Sequence, residues 1–301
     1  MATRIPPLIE PYLGLPPECA HIVLTNVLGA TTNWLILRYL YSYLHKKPAS
    51  AGANSDGNDD PTVNVVLVSF MRDFIFWKEG AGRLGLDLES LARAGRFVFV
   101  DGLTGLFTPP PATTRAGPVP NPRGRRTLRS VDLPDVRREL LAAVSDIGAG
   151  TGAGSTQGKT VLIIDQPDIL LAMMADLDPD PSDGGATTRG QALREALLDV
   201  QEAVYASIFA VAADEPLVAA QTTLLEREHA ALVLSLAHSA LLVLSLRLLD
   251  TGGASDVSGV LRATRGGDLE HHHNDGKAVE EAELLYLMAT DGSVKVFQRG
   301  Q

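Results

Sequence analysis

The chain has 301 residues, of which 45% are hydrophobic and 21% are charged, so it carries enough apolar material for one large core or at most two domains. Its formal net charge of −10 excludes a general binder of nucleic acid, because any such contact must then use a local basic patch. The single cysteine, Cys19, excludes a disulfide framework within the chain and indicates a reducing compartment. The first residues are rich in proline and contain no apolar stretch of signal-peptide length.

Short apolar runs alternate with segments of helical periodicity along most of the chain. The predicted strands are Ile22–Val27, Val63–Val68, Arg96–Asp101, Val161–Asp165, Pro216–Ala220 and Ala240–Leu249. The predicted helices are one from Trp34 that Pro48 ends, Leu88–Ala94, one from Asp132 or Pro134 through Val144, and Arg189–Ala213. Strands that alternate with helices predict an α/β fold with a mostly parallel sheet and helices on both faces.

In the last part of the chain, predicted strands follow one another without helical segments between them. Val257–Arg265 and Leu284–Thr290 have the composition of strands, and Asp291-Gly292 leads into a further strand, Val294–Phe297. Asp-Gly between two such runs is a strong hairpin signal. We therefore expect antiparallel strands at the C-terminal edge of the sheet.

One stretch, Ala230–Leu246, is apolar over nearly the length of a membrane span. The charged residues Glu226–His229 before it and the pair His238-Ser239 within it favour a helix followed by a buried strand. A membrane-anchored protein is a third class of interpretation, and it depends on this stretch alone.

Several long segments between the predicted elements are dominated by Gly, Ser, Asp, Pro and Thr, and we expect them to be mobile surface insertions. They are Ala49–Pro61, Thr108–Arg126, Gly148–Gly158, Asp178–Gly190 and Gly266–Lys277. The predicted organisation is therefore a proline-bearing N-terminal segment, residues 1–19, followed by a single domain, residues 20–301, with long flexible insertions.

The turn after the first strand, Leu28–Asn33, stands where a nucleoside-triphosphatase would hold its glycine-rich phosphate loop. Such a loop needs several glycines and a lysine, whereas this turn has one glycine and the first lysine of the chain is Lys46. Gly154–Thr160 ends in Gly-Lys-Thr, but its glycines are too closely spaced, and it precedes a strand instead of following one. The sequence therefore predicts no phosphate-binding loop and no cofactor.

Other candidate catalytic and metal-ligating residues have simpler explanations. Asp165 ends a predicted strand as a magnesium ligand would, but without a phosphate loop we expect it to cap the next turn, Gln166–Asp168. We interpret His271–His273 as part of a polar loop, because three adjacent side chains cannot all reach one ion from a regular element. No nucleophile motif is present, so we predict neither catalytic residues nor a metal site.

One basic cluster stands out on this acidic chain. It begins at Arg115, and its other four members, which lie in a nine-residue stretch without an acid, are Arg123, Arg125, Arg126 and Arg129. Arginine suits bidentate contact with phosphate, so these four arginines form the predicted RNA-binding site. The alternative is a solvated loop without a ligand.

Several further stretches form a set whose order and spacing matter more than any one motif. They are Ser69–Phe74, Leu84–Leu103, Leu162–Leu171, His238-Ser239, Ser245–Gly252 and Asp256–Arg262. Together they resemble the family of the sixth subunit of the Elongator complex, in a fungal-like form. The resemblance covers most of the chain, from about Ala20 to the C-terminus, and the long linkers depart from it.

This resemblance implies a RecA-like fold without working nucleotide motifs, which agrees with the turn Leu28–Asn33. It also implies assembly with the fourth and fifth Elongator subunits into a heterohexameric ring, two copies of each, that works with the remaining Elongator core. Such a ring binds tRNA and supports the modification of wobble uridines, while the catalytic subunit lies elsewhere in the assembly. The implied location is the cytoplasm, with the nucleus as a second compartment.

We therefore expect a noncatalytic, RecA-like ring subunit whose partners are sister subunits and tRNA, without a membrane contact. The alternative function is a stand-alone RecA-type ATPase with a degenerate phosphate loop. The absence of any lysine before Lys46 counts against this alternative.

Overall fold

The computed structural model describes residues 5–45, 62–107, 122–147, 158–174, 188–250, 252, 254, 256–267 and 280–298. Within these residues the chain forms a 10-stranded sheet. The strands are β1 His21–Asn26, β2 Val63–Ser69, β3 Phe97–Asp101, β4 Arg125–Thr127, β5 Lys159–Asp165, β6 Ala206–Ala212, β7 Leu242–Arg247, β8 Gly259–Arg265, β9 Ala282–Met288 and β10 Val294–Gln298. Their order across the sheet is β10-β9-β8-β7-β1-β6-β5-β2-β3-β4.

The sheet has a parallel part and an antiparallel edge. All neighbours from β7 to β4 run parallel, whereas β8, β9 and β10 continue from β7 in alternating directions. The predicted Asp291-Gly292 turn joins β9 to β10, and Gly292 has a φ of +80° there. The prediction of a mostly parallel sheet with antiparallel strands at the C-terminal edge is confirmed.

Helices cover both faces of the sheet, as predicted. They are α1 Asn33–Leu44, α2 Phe74–Arg83, α3 Leu88–Arg93, α4 Thr104–Phe107, α5 Leu133–Asp146, α6 Ile169–Met173, α7 Arg189–Gln201 and α8 Leu224–Ser239. Helices α1 to α3 pack on one face and α5 to α8 on the other. In β1, Ile22 and Leu24 are buried against the first group and Val23 against the second, so the strand reads as a continuous apolar run.

The described part of the N-terminal segment belongs to the core of the first face. A 3-10 helix, Pro7–Tyr12, packs on α1 and buries Ile9. Hydroxyls of α1 hold the chain that follows, since Tyr39 donates to the Tyr12 carbonyl oxygen at 2.9 Å and Ser42 donates to that of Leu13 at 2.9 Å. This segment therefore fixes α1, and with it the turn between β1 and α1.

The other end of α1 is held by Arg96, which precedes β3. Its guanidinium donates to the carbonyl oxygens of Leu44 at 3.2 Å and of Val63 at 3.0 Å. A buried guanidinium needs such acceptors, and the last carbonyls of a helix lack partners of their own. Helix α1 thus ends at Leu44, and Pro48, which was expected to end it, lies outside the described residues.

Two predictions around β6 are wrong. The segment predicted as one helix, Arg189–Ala213, leaves the helix at Gln201 and enters β6, which lies between β1 and β5 at the centre of the sheet. A strand that is buried on both faces shows no polar alternation, so its apolar residues continued the helical pattern. Pro216–Ala220, predicted as the strand, is instead one turn of π-helix after β6.

The predicted insertions lie largely outside the described residues. Thr108–Arg126 is a partial exception, because Arg125 and Arg126 belong to β4, a short strand at the edge of the sheet. The apolar stretch Ala230–Leu246 is the second half of α8 followed by β7, as predicted. Within the described part of the chain, no helix combines the length and the apolarity that a membrane crossing requires.

Candidate functional site

The carboxyl ends of the parallel strands meet along one edge of the sheet, which is where open α/β sheets bind ligands. The side chains that end these strands are polar, unlike the apolar strand interiors. They are Asn26 of β1, Ser69 of β2, Asp101 of β3 and Asp165 of β5, and Asp214 follows β6. This carboxyl edge is the candidate functional site.

A tight turn occupies the position after β1. The Ala30 amide donates to the Val27 carbonyl oxygen at 2.9 Å, and Gly29 reaches a φ of +91° within the turn. The Leu28 amide donates to Oδ1 of Asp214 at 2.7 Å, so a carboxylate from the neighbouring strand end binds this turn. Leu28 itself is 86% exposed at the tip.

The hydrogen bonding of this turn differs from that of a phosphate loop. A phosphate loop surrounds the anion with free backbone amides, whereas here the Leu28 amide is already bonded to Asp214. The Asp214 carboxylate would also repel a phosphate group. The lysine of the Gly-Lys-Thr sequence, Lys159, lies at the amino end of β5 and donates to the Tyr205 hydroxyl at 2.7 Å. The first four residues of that motif, Gly154–Gln157, lie outside the described residues.

Asp165 hydrogen-bonds across the carboxyl edge of the sheet and does not cap the following turn. Its Oδ2 accepts a hydrogen bond from the Ser69 hydroxyl at 2.7 Å, which links the carboxyl ends of β2 and β5. Burial raises the pKa of Asp165 to about 6, although the bond from Ser69 acts in the opposite direction. The expectation that Asp165 caps the turn Gln166–Asp168 is wrong, because its second oxygen, Oδ1, is buried without a hydrogen-bond partner.

Asp168 is a second buried carboxyl beside this edge, and sequence reasoning did not single it out. Its Oδ2 accepts a weak bond from the Ala212 amide at 3.4 Å and lies 3.9 Å from Nδ1 of His229. Burial raises the pKa of Asp168 to about 7. His229 in turn bonds through Nε2 to the Ala212 carbonyl oxygen at 2.8 Å, so the two side chains bracket the end of β6.

Hydrogen bonds between polar side chains link neighbouring strands along the carboxyl edge. Gln166, at a φ of +59°, donates from Nε2 to Oδ1 of Asn26 at 2.7 Å and joins β5 to β1. Among the described residues, no three His, Cys, Asp or Glu side chains are placed to hold a metal ion. His271–His273 lies outside those residues, so its interpretation as a loop stays a prediction.

Several large apolar side chains that follow the carboxyl ends of the strands are exposed to solvent. Leu28 lies after β1, Leu248 after β7 and Ile75 after β2, and the Leu248 side chain packs against Gly29. The exposed members of this carboxyl-end apolar surface are Leu28, Met71, Ile75, Phe76, Phe107, Leu224 and Leu248. Exposed apolar side chains that lie along one edge of a sheet are candidates for an interaction surface.

The predicted RNA-binding arginines lie in and beside β4, the outermost strand of the sheet, and divide into two pairs. Arg125 is paired with Glu89 at 2.9 Å, and Arg126 is paired with Asp146 at 2.7 Å. Arg123 and Arg129 are exposed and have no ion pair among the described residues. The structure thus brings the four residues together around β4 but leaves only two of them free for an anion.

Comparison with known proteins addresses the fold. A scan against protein-family profiles and a search of curated proteins found no match. Among solved structures, the chain is similar to a KaiC-like protein of the hyperthermophilic archaeon Pyrococcus horikoshii. The two superpose with a TM-score of 0.52 at 14% sequence identity, over 98% of this chain and 97% of that one.

The chain has a RecA-like fold. At its centre lie the parallel strands β7-β1-β6-β5-β2, with the turn after β1 at the carboxyl edge. The RecA-like fold expected from the sequence is therefore confirmed, and an identity this low carries the comparison no further than the fold.

Proposed function

We propose that the protein is a noncatalytic, RecA-like subunit of a heterohexameric ring with the fourth and fifth Elongator subunits. The ring would bind tRNA and support the modification of wobble uridines by the whole complex, in the cytoplasm and the nucleus. The order and spacing of the stretches from Ser69–Phe74 to Asp256–Arg262 support this family assignment. The catalytic subunit belongs elsewhere in the assembly.

The observation that carries the noncatalytic role is the closed turn after β1. The Asp214 carboxylate binds the Leu28 amide where a phosphate group would otherwise lie. A working ATPase would have to open this turn and remove the charge of Asp214 before a nucleotide could enter. The rival function, a stand-alone RecA-type ATPase, has the fold in its favour and this turn against it.

The carboxyl-end apolar surface supports the assembly part of the proposal. Its leucines, isoleucine and phenylalanines are exposed at the edge where a RecA-like nucleotide site would otherwise lie. Burial of such side chains by a partner gains free energy in proportion to the apolar area removed from water. We infer that a sister subunit binds this surface, at the edge of the sheet where a nucleotide binds in a RecA-like ATPase.

The mass of the assembled complex tests this function. Co-expression with the fourth and fifth Elongator subunits of the same organism should give one complex with two copies of each chain, measured by native mass spectrometry. Expressed alone, the protein should self-associate or aggregate, because its apolar surface then lacks a partner. A monodisperse monomer that ignores both subunits would contradict the proposal.

The protein is expected not to bind ATP. Titration with a fluorescent ATP analogue and Mg²⁺ should show no saturable signal at micromolar concentrations, because the turn offers neither free amides nor a lysine. Binding that unlabelled ATP displaces, but that inorganic triphosphate does not displace, would instead favour the stand-alone ATPase. The variant Asp214→Ala separates the two causes of this absence. If it also fails to bind ATP, the missing lysine and glycines are sufficient to explain the absence; if it binds ATP, the Asp214 carboxylate is what excludes the nucleotide.

A further inference from the structure

A concave pocket lies near the amino ends of β3 and β4, far from the carboxyl edge. Its volume is about 370 Å³, which is in the range of small-ligand sites. Its wall carries an unusual share of guanidinium groups for a protein of net charge −10. They come from Arg93 at the end of α3 and from Arg123, Arg125 and Arg126 at and before the start of β4.

The local sequence builds this pocket through a tight turn, Pro122–Arg125. The Arg125 amide donates to the Pro122 carbonyl oxygen at 3.1 Å, and Gly124 has a φ of +73° in the third position, as turns with glycine there require. A Cβ on Gly124 would lie 2.6 Å from Cβ of Ala92. Glycine therefore lets the turn close against α3, and Arg123, which is exposed, lines the pocket together with Arg93.

Two of the four guanidiniums are already committed to carboxylates. Arg125 lies 3.6 Å above the Phe74 ring and bonds to Glu89, which fixes it on one face of the sheet. Arg126 bonds to both oxygens of Asp146, at 2.7 and 3.2 Å. Asp146 is the acid that lines the pocket, and this bidentate pair neutralises it.

The other two guanidiniums, those of Arg93 and Arg123, have no carboxylate partner among the described residues. Arg93 donates only its Nε, to the Glu89 carbonyl oxygen at 3.3 Å, so its terminal nitrogens are without a partner among the described residues. Arg123 makes no hydrogen bond or ion pair to any part of the chain that the structure describes, and it is exposed. As far as the described residues go, the pocket therefore carries a positive charge without a paired acid, on two guanidinium groups that both line it.

We propose that this pocket binds a phosphate group and that Arg93 and Arg123 are its ligands. Guanidinium forks match the oxygens of phosphate and bind them in pairs. Arg125 and Arg126 are positioning residues that hold the strand and the turn in place through Glu89 and Asp146. This assignment deepens the RNA-binding part of the proposed function: it adds Arg93, which the sequence did not single out, and removes the two paired arginines from direct contact.

The experiment compares two double variants of the full-length protein, used in the co-purified complex where that forms and alone where it does not. Arg93→Gln/Arg123→Gln removes the free charges of the pocket. The matched control, Arg227→Gln/Arg262→Gln, removes two exposed arginines from α8 and β8, on other parts of the surface. Each is titrated with a single-stranded RNA of about 20 nucleotides and, separately, with inorganic triphosphate.

We expect the pocket variant to bind about tenfold more weakly than the control. Loss of RNA binding would identify a nucleic-acid backbone as the phosphate source, and the salt dependence should flatten by roughly 1.4 in log–log slope for two lost contacts. Loss of triphosphate binding alone would identify a small polyphosphate. Equal binding of RNA and triphosphate by both variants would overturn the proposal that this pocket binds phosphate. Assembly with the sister subunits should be unchanged in either variant. Failure of the phosphate-pocket proposal can therefore be told apart from failure of the ring proposal.

Discussion

The double variant Leu28→Gln/Leu248→Gln is expected to lose assembly with the sister subunits while its own fold survives. Leu28 is 86% exposed and Leu248 is 46% exposed, so neither side chain contributes much to the core of the isolated chain. Burying a leucine at an interface is worth about 2 kcal/mol, so losing both should weaken association roughly 1,000-fold. Glutamine is chosen because a new charge would act directly on Asp214, which binds this turn.

The measurement is the yield and mass of the complex after co-expression, with thermal unfolding of the separate chain as a check on folding. Leu234→Gln is the matched control, because Leu234 is 61% exposed on α8 and does not belong to the carboxyl-end apolar surface. The control should assemble normally. If the double variant assembles as well as the control, the ring does not use this surface.

The β1–turn–α1 unit shows what the sequence alone could predict. A short apolar run, one glycine and a helix starting near Trp34 were enough to place β1, the turn and α1, because each is defined by local pattern. The missing lysine was equally visible. The Asp214 carboxylate was not, because it comes from a chain position nearly two hundred residues away and reaches Leu28 only through the pairing of β1 with β6.

Strand β6 shows why the central strand was missed. Its residues Ile208, Phe209 and Val211 are buried from both sides, so no alternation separated the strand from the end of α7. The mistake moved the predicted strand to Pro216–Ala220 and hid the site that β6 builds. Asp168 and His229 come together only around the end of β6, so they could not stand out before that strand was placed.

The arginine cluster shows a different limit. Sequence patterns find the charge of Arg125 and Arg126 but not the acids that compensate it, because Glu89 and Asp146 come from α3 and α5. Likewise, Arg93 lies 30 residues before Arg123 in the chain, and the turn at Gly124 brings both to one rim. The composition of a segment indicates that charge is present, whereas tertiary pairing decides which charge is free.

The stability of the protein is expected to fall as the pH rises from about 4 to about 7, and Asp168→Asn should remove much of this dependence. Burial raises the pKa of Asp168 to about 7, so in this range the folded state holds a proton that the unfolded chain releases. The stabilisation is complete at low pH and is lost as the pH passes the folded pKa. Asp165, whose pKa is raised to about 6, acts in the same direction.

At pH 8 the wild-type protein must keep an ionised carboxylate in a buried site where Oδ1 of Asp168 has no partner. Asparagine has no charge to bury, so Asp168→Asn should raise the free energy of unfolding there by about 2 kcal/mol, allowing for His229 as a partial partner. At pH 4 the difference should vanish, because the wild-type carboxyl is then protonated. Urea unfolding at both pH values measures this, with the exposed Asp199→Asn as control. A variant that is less stable than wild type at pH 8 would show that the folded protein uses the charge of Asp168.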